Sequence, residues 1–284
     1  MRIIDAHIHL WDTSRQHLPW LDGPDADPRL LGRFTADDLS ARYAAALPAD
    51  CAFDGGVYVE VDCADPLDED RQLATNRDPR VLAKVMRSTL DPAMRVPLFA
   101  AGVRDPLHVP GSERGRCLDD GFVAGLRLLG QAGLPFDACV RRDELDDLAE
   151  TAERAPDTTI VVDHMGNVTP GTLDERYVAA MRRLAACPNV VVKVSGYPTD
   201  DRRFVRDLLA LSRELFDGRR MAASNWPVVD SYSSLEAHLS TLLDEDGDDE
   251  RLYHDTAAHV YGIGRRPSSH TTQHNASIQQ EQHQ

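Results

Sequence analysis

The stretch IIDAHIHLWD, Ile3 to Asp12, places His7 and His9 two positions apart in an otherwise apolar run of strand length. Successive side chains of a strand point to opposite faces, so both imidazoles share one face, a single pleat repeat apart. They can grip one metal ion or one substrate together. A lone histidine in such a run is usually a core residue with one satisfied hydrogen bond, but the paired spacing favours a functional role.

Outward from this stretch, short β-branched runs alternate with longer amphipathic ones, the pattern of strand–helix units around a parallel sheet. Eight strand segments can be read: RIIDAHIHL, GGVYVEV, VLAKVMRST, FVAGLRLL, FDACV, TIVVDHM, VVVKVSG and RMAASNW. Helices are expected at Thr35–Leu47, Asp143–Ala155, Leu173–Ala186, Asp201–Phe216, Ser233–Leu243 and Asp249–Tyr261, several opened by capping residues such as Thr35 with Asp38. The count and length fit a single α/β domain, a (β/α)8 TIM barrel over residues 1–264. A doubly wound open sheet is the alternative, but no glycine-rich phosphate loop supports it.

In a barrel, the chemistry gathers at the carboxyl ends of the strands. Alternation sends Val57, Val59 and Val61 toward the helices, which turns Tyr58 and Glu60 inward. It places Arg127 inward on the fourth segment and Lys193 inward on the seventh. His164 shares a face with Ile160 and Val162, and Asn225 one with Met221 and Ala223. His7, His9, Glu60, Arg127, His164, Lys193 and Asn225 then ring one mouth. Burying so many polar groups has a cost that a purely structural core rarely carries. Asp163 is expected to face the helices as a cap, and Asp5 to orient a neighbour of the site.

The chain has 284 residues, with 31 Lys and Arg against 47 Asp and Glu, a formal charge of -16. Such a charge repels phosphate backbones and anionic lipid, so neither nucleic acid nor a membrane is an expected partner. Five cysteines stand far apart without a C-x-x-C pair. With no secretory signal in view, they point to a reduced, cytoplasmic setting. Residues 265–284, RPSSHTTQHNASIQQEQHQ after Arg265, have almost no apolar content and read as a disordered polar tail.

Taken together, IDAHIHLWD, VVDHMG, VKVSG and ASNWPV, in that order, resemble the amidohydrolase superfamily and within it the amidohydrolase-2 group of lactonase-type hydrolases. LPW at Leu18–Trp20, GLR around Arg127, LPFDACV at Leu134–Val140 and the closing AAHVYGI extend the resemblance from Met1 to Ile263. It implies a barrel that opens a cyclic ester, a sugar lactone or a carboxylated ring lactone. Decarboxylation or amide hydrolysis on the same barrel is one alternative, and a non-catalytic ligand-binding barrel another. The implied partner is a small molecule, and a homodimer is a compatible assembly. Metal use varies in such proteins. Either no cofactor is strictly required, or a weakly bound Zn2+ or Mn2+ sits on His7, His9 and His164.

One departure matters. The last motif usually reads G-[ST]-D-W-P, its aspartate acting as base and ligand, whereas this chain has Asn225 in Ala223-Ser224-Asn225-Trp226-Pro227. An amide orients a water or an oxyanion but takes no proton at neutral pH. Water activation then falls to a histidine-centred route through His164, His7 and His9, with or without metal, or to a Glu60 whose pKa burial has raised. Arg127 and Lys193 are expected to clamp a substrate carboxylate or oxyanion, and Tyr58 and Trp226 to contact the substrate, with Trp11 and Trp20 beside them. Lys193 could instead pair with Glu60 structurally.

Overall fold

A computed structural model describes residues 1–24 and 26–264; the polar segment beyond lies outside the described residues. One sheet holds eight parallel strands in chain order: β1 Arg2–Ile8, β2 Ala52–Val59, β3 Val81–Arg87, β4 Gly102–Arg104, β5 Phe136–Ala138, β6 Ile160–Val162, β7 Val190–Val194 and β8 Arg220–Ala222. The ends meet just past the last strand. Ile8 bridges Trp226, the Asn225 N–H donates to the His7 carbonyl (2.9 Å), and the His9 N–H donates to the Trp226 carbonyl (2.7 Å). This is the expected (β/α)8 barrel.

Among the described residues, seven helices wrap it: α1 Ala36–Ala46, α2 Pro66–Thr75, α3 Asp120–Ala132, α4 Leu145–Arg154, α5 Glu175–Ala186, α6 Arg202–Phe216 and α7 Leu235–Asp246. Thr35 and Asp38 form a reciprocal capping box at the start of α1. No helix joins β3 to β4 among the described residues. A short helix, α8 Thr256–Val260, with Tyr261 just past its end, packs Ala257 and Tyr261 against Ile4, Val57, Val161, Val191 and Met221, plugging the barrel from the amino-terminal side of its strands.

Two expectations are corrected here. The fourth segment, FVAGLRLL, is helix α3, capped by the left-handed Gly133 and burying Phe122, Val123, Leu126 and Leu129 at helical spacing. The true fourth strand is only Gly102–Arg104, too short to show a period. Arg127 is therefore on the outer surface, where its Nε donates to the Arg154 carbonyl (2.9 Å), and it clamps nothing in the mouth. Within β2 the faces are reversed, although Glu60, one residue past its end, reaches the cavity as expected. Val57 and Val59 fill the interior, while Tyr58 turns outward and donates to Glu69 of α2 (2.6 Å), so Tyr58 does not contact the cavity.

Candidate active site

Above the apolar interior lies a buried polar layer. Lys193 of β7 extends along the barrel axis, where its ammonium pairs with Asp137 of β5 and with Asp163 (3.0 Å), not with Glu60. Lys193 Nζ also stands 3.2 Å from His7 Nδ1. From below, the Tyr261 hydroxyl donates to Asp137 (3.0 Å). Burial pushes the Asp137 carboxyl up to about 6 against the pull of Lys193. Burial would raise Asp163 too, but Lys193 and His7 outweigh it and hold that carboxyl well below the usual range. Asp163 thus faces the barrel axis, contrary to the expectation that it caps a helix.

No motif or period in the chain marks the cation beside it. Arg104, at the end of β4, is buried with Nη1 3.2 Å from Glu60 Oε1 and Nε 3.5 Å from Asp163 Oδ2. Burial raises the Glu60 carboxyl to about 7 even though Arg104 pulls it down.

Three imidazoles complete the layer. β1 carries His7, and His9 lies one residue past its end, two positions on and on the same face. Their Nε2 atoms are 3.1 Å apart. His9 Nδ1 bonds the Val59 carbonyl (2.9 Å) and its Nε2 lies 3.2 Å from Asn225 Oδ1. His164 follows β6, and its ring centroid is 4.5 Å from that of His7. Its Nδ1 bonds Ser195 Oγ (2.8 Å). Burial lowers His9 and His164 to about 3, and His7 well below its ordinary value, so all three are neutral near pH 7.

The backbone is bent to achieve this. Asp62, His164, Met165, Asn167 and Asn225 are non-glycine residues with positive φ, and all but Met165 line the cavity. Each costs about 1–3 kcal/mol, strain that collects where geometry serves a site. Gly196 belongs to the same device, because a Cβ there would meet His164 Cβ at 2.4 Å. Asp5 ties the two ends of the barrel together, accepting from the His7 N–H (3.1 Å), the Ser224 N–H (2.9 Å) and the Tyr43 hydroxyl (2.8 Å).

A cavity of about 340 Å³ opens over this layer, within the range of small-ligand pockets. Its polar floor and wall include His9, Glu60, Arg104, His164 and Asn225, and its apolar wall Trp11, Trp20, Val61, Pro110 and Val228. His7 and Lys193 lie beneath it. Trp226 does not face the cavity; its indole packs edge-on against Phe34, with ring centroids 5.6 Å apart, in the layer behind.

Do these residues suit a divalent ion? Two tetrahedral nitrogen ligands of one zinc stand about 3.3 Å apart, close to the His7–His9 separation. Ligand atoms of His7, Asp163 and His164 lie within 4.8 Å of one another, and the Nε2 atoms of His7 and His9 face each other with no other group between them. Neutral imidazoles and an ionised carboxylate are the ligand forms, so the donor set fits. The ammonium of Lys193 beside it opposes the ion's charge.

The sequence matches the amidohydrolase family profile over residues 4–263. The chain belongs to the amidohydrolase family. Amidohydrolase 2 from Bifidobacterium longum subsp. infantis is 42% identical over 93% of this chain and 99% of its own, with a TM-score of 0.83. Among characterised sequences, an L-fucono-1,5-lactonase from Burkholderia multivorans is 26% identical, aligned over 92% of this amidohydrolase and 96% of the lactonase. A Burkholderia multivorans amidohydrolase solved with bound zinc shares the fold at 24% identity, with a TM-score of 0.78 over 93% of this chain and 100% of that one. No helix of the described residues is long and apolar enough to cross a membrane.

Proposed function

We propose that this hydrolase opens a small cyclic ester, a sugar lactone or a carboxylated ring lactone. The observation that carries the reading is the pairing of Glu60 and Arg104 in the wall of a cavity whose strand-eight group is an amide. A carboxyl near pKa 7 is matched to taking a proton from water at neutral pH, whereas imidazoles held near 3 are weak bases. Glu60 therefore takes the proton in our reading. Arg104 then stabilises the oxygen that becomes negative in the tetrahedral intermediate, and Asn225 and His9 orient the water through their facing polar atoms. Trp11 and Trp20 cover the apolar face of the ring.

A ring ester suits this equipment because its leaving alkoxide is a better departing group than an amine. The lactonase relative supports the same substrate class. His7, His9, His164 and Asp163 would hold a divalent ion, which when bound would supply Lewis-acid polarisation and lower the pKa of a ligated water. Proton release from a panel of five- and six-membered lactones tests the reading. Turnover of at least one lactone is expected, abolished in Glu60→Gln. Carbon dioxide or amine release with no lactone turnover would overturn it in favour of decarboxylation or amide hydrolysis.

A further inference from the structure

Behind the strand that leads to Glu60, a second carboxyl is buried outside the cavity. Glu69 of α2 is 1% exposed, and its Oε1 accepts from the Tyr58 hydroxyl (2.6 Å) and from the Val61 N–H (3.0 Å). Cys63 Sγ stands 3.3 Å from Oε2. These donors are uncharged, a costly way to bury a carboxyl. All three come from one short stretch of chain, Tyr58 to Cys63.

That stretch carries Glu60, the base of the reading above. Just past β2, the Glu60 N–H still donates to the Val85 carbonyl of β3 (3.0 Å), so its backbone is held by the sheet. The next N–H, on Val61, is taken by Glu69. The peptide that follows is engaged at both ends. Its N–H, on Asp62, donates to Glu60 Oε2 (2.8 Å), and its carbonyl, on Val61, accepts from the Trp20 indole N–H (2.9 Å). Asp62 itself is left-handed, with its carboxylate on Arg87, a conformation that persists only where the surroundings over-determine it. One peptide plane therefore orients the Glu60 carboxyl and the Trp20 ring together, and Glu69 fixes the peptide before it.

We propose that Glu69 is a positioning residue that acts through the Val61 N–H, setting the peptide that aims Glu60 at the water and holds Trp20 over the substrate ring. Its effect on rate rests on Glu60 being the base, whereas its hold on Trp20 does not. Tyr58, turned outward on β2, serves the cavity from behind by anchoring the same carboxyl. Without an acceptor there, the Val61 N–H and the Tyr58 hydroxyl lose a buried partner and the Val61–Asp62 peptide is free to rotate. Glu60 Oε2 then loses its backbone donor and Trp20 its acceptor.

The test reads both ends of this link. The full-length protein is labelled with fluorotryptophan, and the fluorine resonance of Trp20 is assigned by its loss in Trp20→Phe. Glu69→Met keeps the volume but offers no oxygen, and should displace the Trp20 resonance while that of Trp226, packed on Phe34, stays in place. Glu69→Gln keeps an acceptor oxygen and should leave the Trp20 resonance at its parent position. On the panel lactone that the unaltered protein opens fastest, Glu69→Met should lower kcat about 10-fold to 100-fold, the loss expected when a reacting group is misplaced. Glu69→Gln should stay within about threefold of the parent on the same lactone. Tyr58→Phe, the second variant should Glu69→Met fail to fold, should displace the same resonance by less. Full turnover in Glu60→Gln would overturn the base reading and with it the effect on kcat, while a displaced Trp20 resonance would still uphold the link to Glu69. Loss of turnover in Glu60→Gln beside a parent-like kcat in Glu69→Met, or a Trp20 resonance unmoved in Glu69→Met and Tyr58→Phe, would overturn the proposal.

Discussion

His9 Nε2 lies 3.2 Å from Asn225 Oδ1, so the amide of the last strand occupies a position from which a carboxylate would complete a cation site with the imidazoles. As it stands, the ligand set must share its single carboxylate, Asp163, with Lys193 and Arg104. Protein purified without added zinc should contain clearly less than one equivalent by elemental analysis. Asn225→Asp adds an anionic ligand and should raise zinc retention through dialysis about tenfold or more. Stoichiometric, chelator-resistant metal in the unaltered protein would contradict this account.

Glu60 sets the pH dependence. Its carboxyl is raised to about 7, so the base form is lost below that pH and present above it. On the true substrate kcat/KM should climb through pH 7 and level off on the alkaline side. Glu60→Gln should lower kcat about 100-fold or more and remove that limb. A profile flat between pH 5 and 8 would exclude Glu60 as the base.

His164 is held by Ser195 on one side and faces His7 on the other. His164→Ala removes a cavity hydrogen-bonding group and a prospective ligand together, and turnover should fall about 10-fold to 100-fold, the usual loss when the groups around a metal or its water are disturbed. Ser195→Ala, which only frees the ring, should cost much less. Near-full turnover in His164→Ala would show that the water is activated without it.

The two arginines offer a contrast. Arg127→Ala should leave kcat/KM within about twofold of the parent, since an exposed surface substitution touches no site group. Arg104→Met should lower kcat about 100-fold, the usual loss for a group that stabilises developing negative charge. It should also move the rate limb to higher pH, because Glu60 loses the cation that pulls its pKa down.

Tyr261 never reaches the cavity, yet it holds Asp137, the partner of Lys193. Removing a hydrogen bond to a charged buried group costs about 1.5–3 kcal/mol. Tyr261→Phe should lower the urea midpoint accordingly, with the fluorescence of the intact fold otherwise unchanged.

The barrel was legible because its long strands carry strong patterns: the apolar alternation of β7 sets Val190, Val192 and Val194 against the helices and Lys193 inward, as the residues imply. Helices such as α1, α5 and α6 lie within a few residues of their capping signals. What was hidden lies in short or bent segments. β4 has three residues and no period, so Arg104 went unseen while the apolar helix α3 took its place. Period-two counting also fails where the backbone leaves the strand. Past β6, the left-handed His164 lets Asp163 and its neighbour both enter the mouth, and on β2 three valines matched either face equally well. Asp137, which balances Lys193, sat within FDACV and stood out in no pattern.

The closure between Ile8 and Trp226 joins residues at opposite ends of the barrel sequence. On a ribosome His7 and His9 emerge first, but the backbone groups that hold them, the Asn225 N–H and the Trp226 carbonyl, arrive more than two hundred residues later. For most of synthesis the paired histidines form part of an open sheet edge without their partners. The charge on Lys193, too, lacks its lower brace until Tyr261 has been made. The last residues of the barrel therefore decide when the first become a site, so the nascent chain acquires its chemistry only after the closing residues of the barrel have been made.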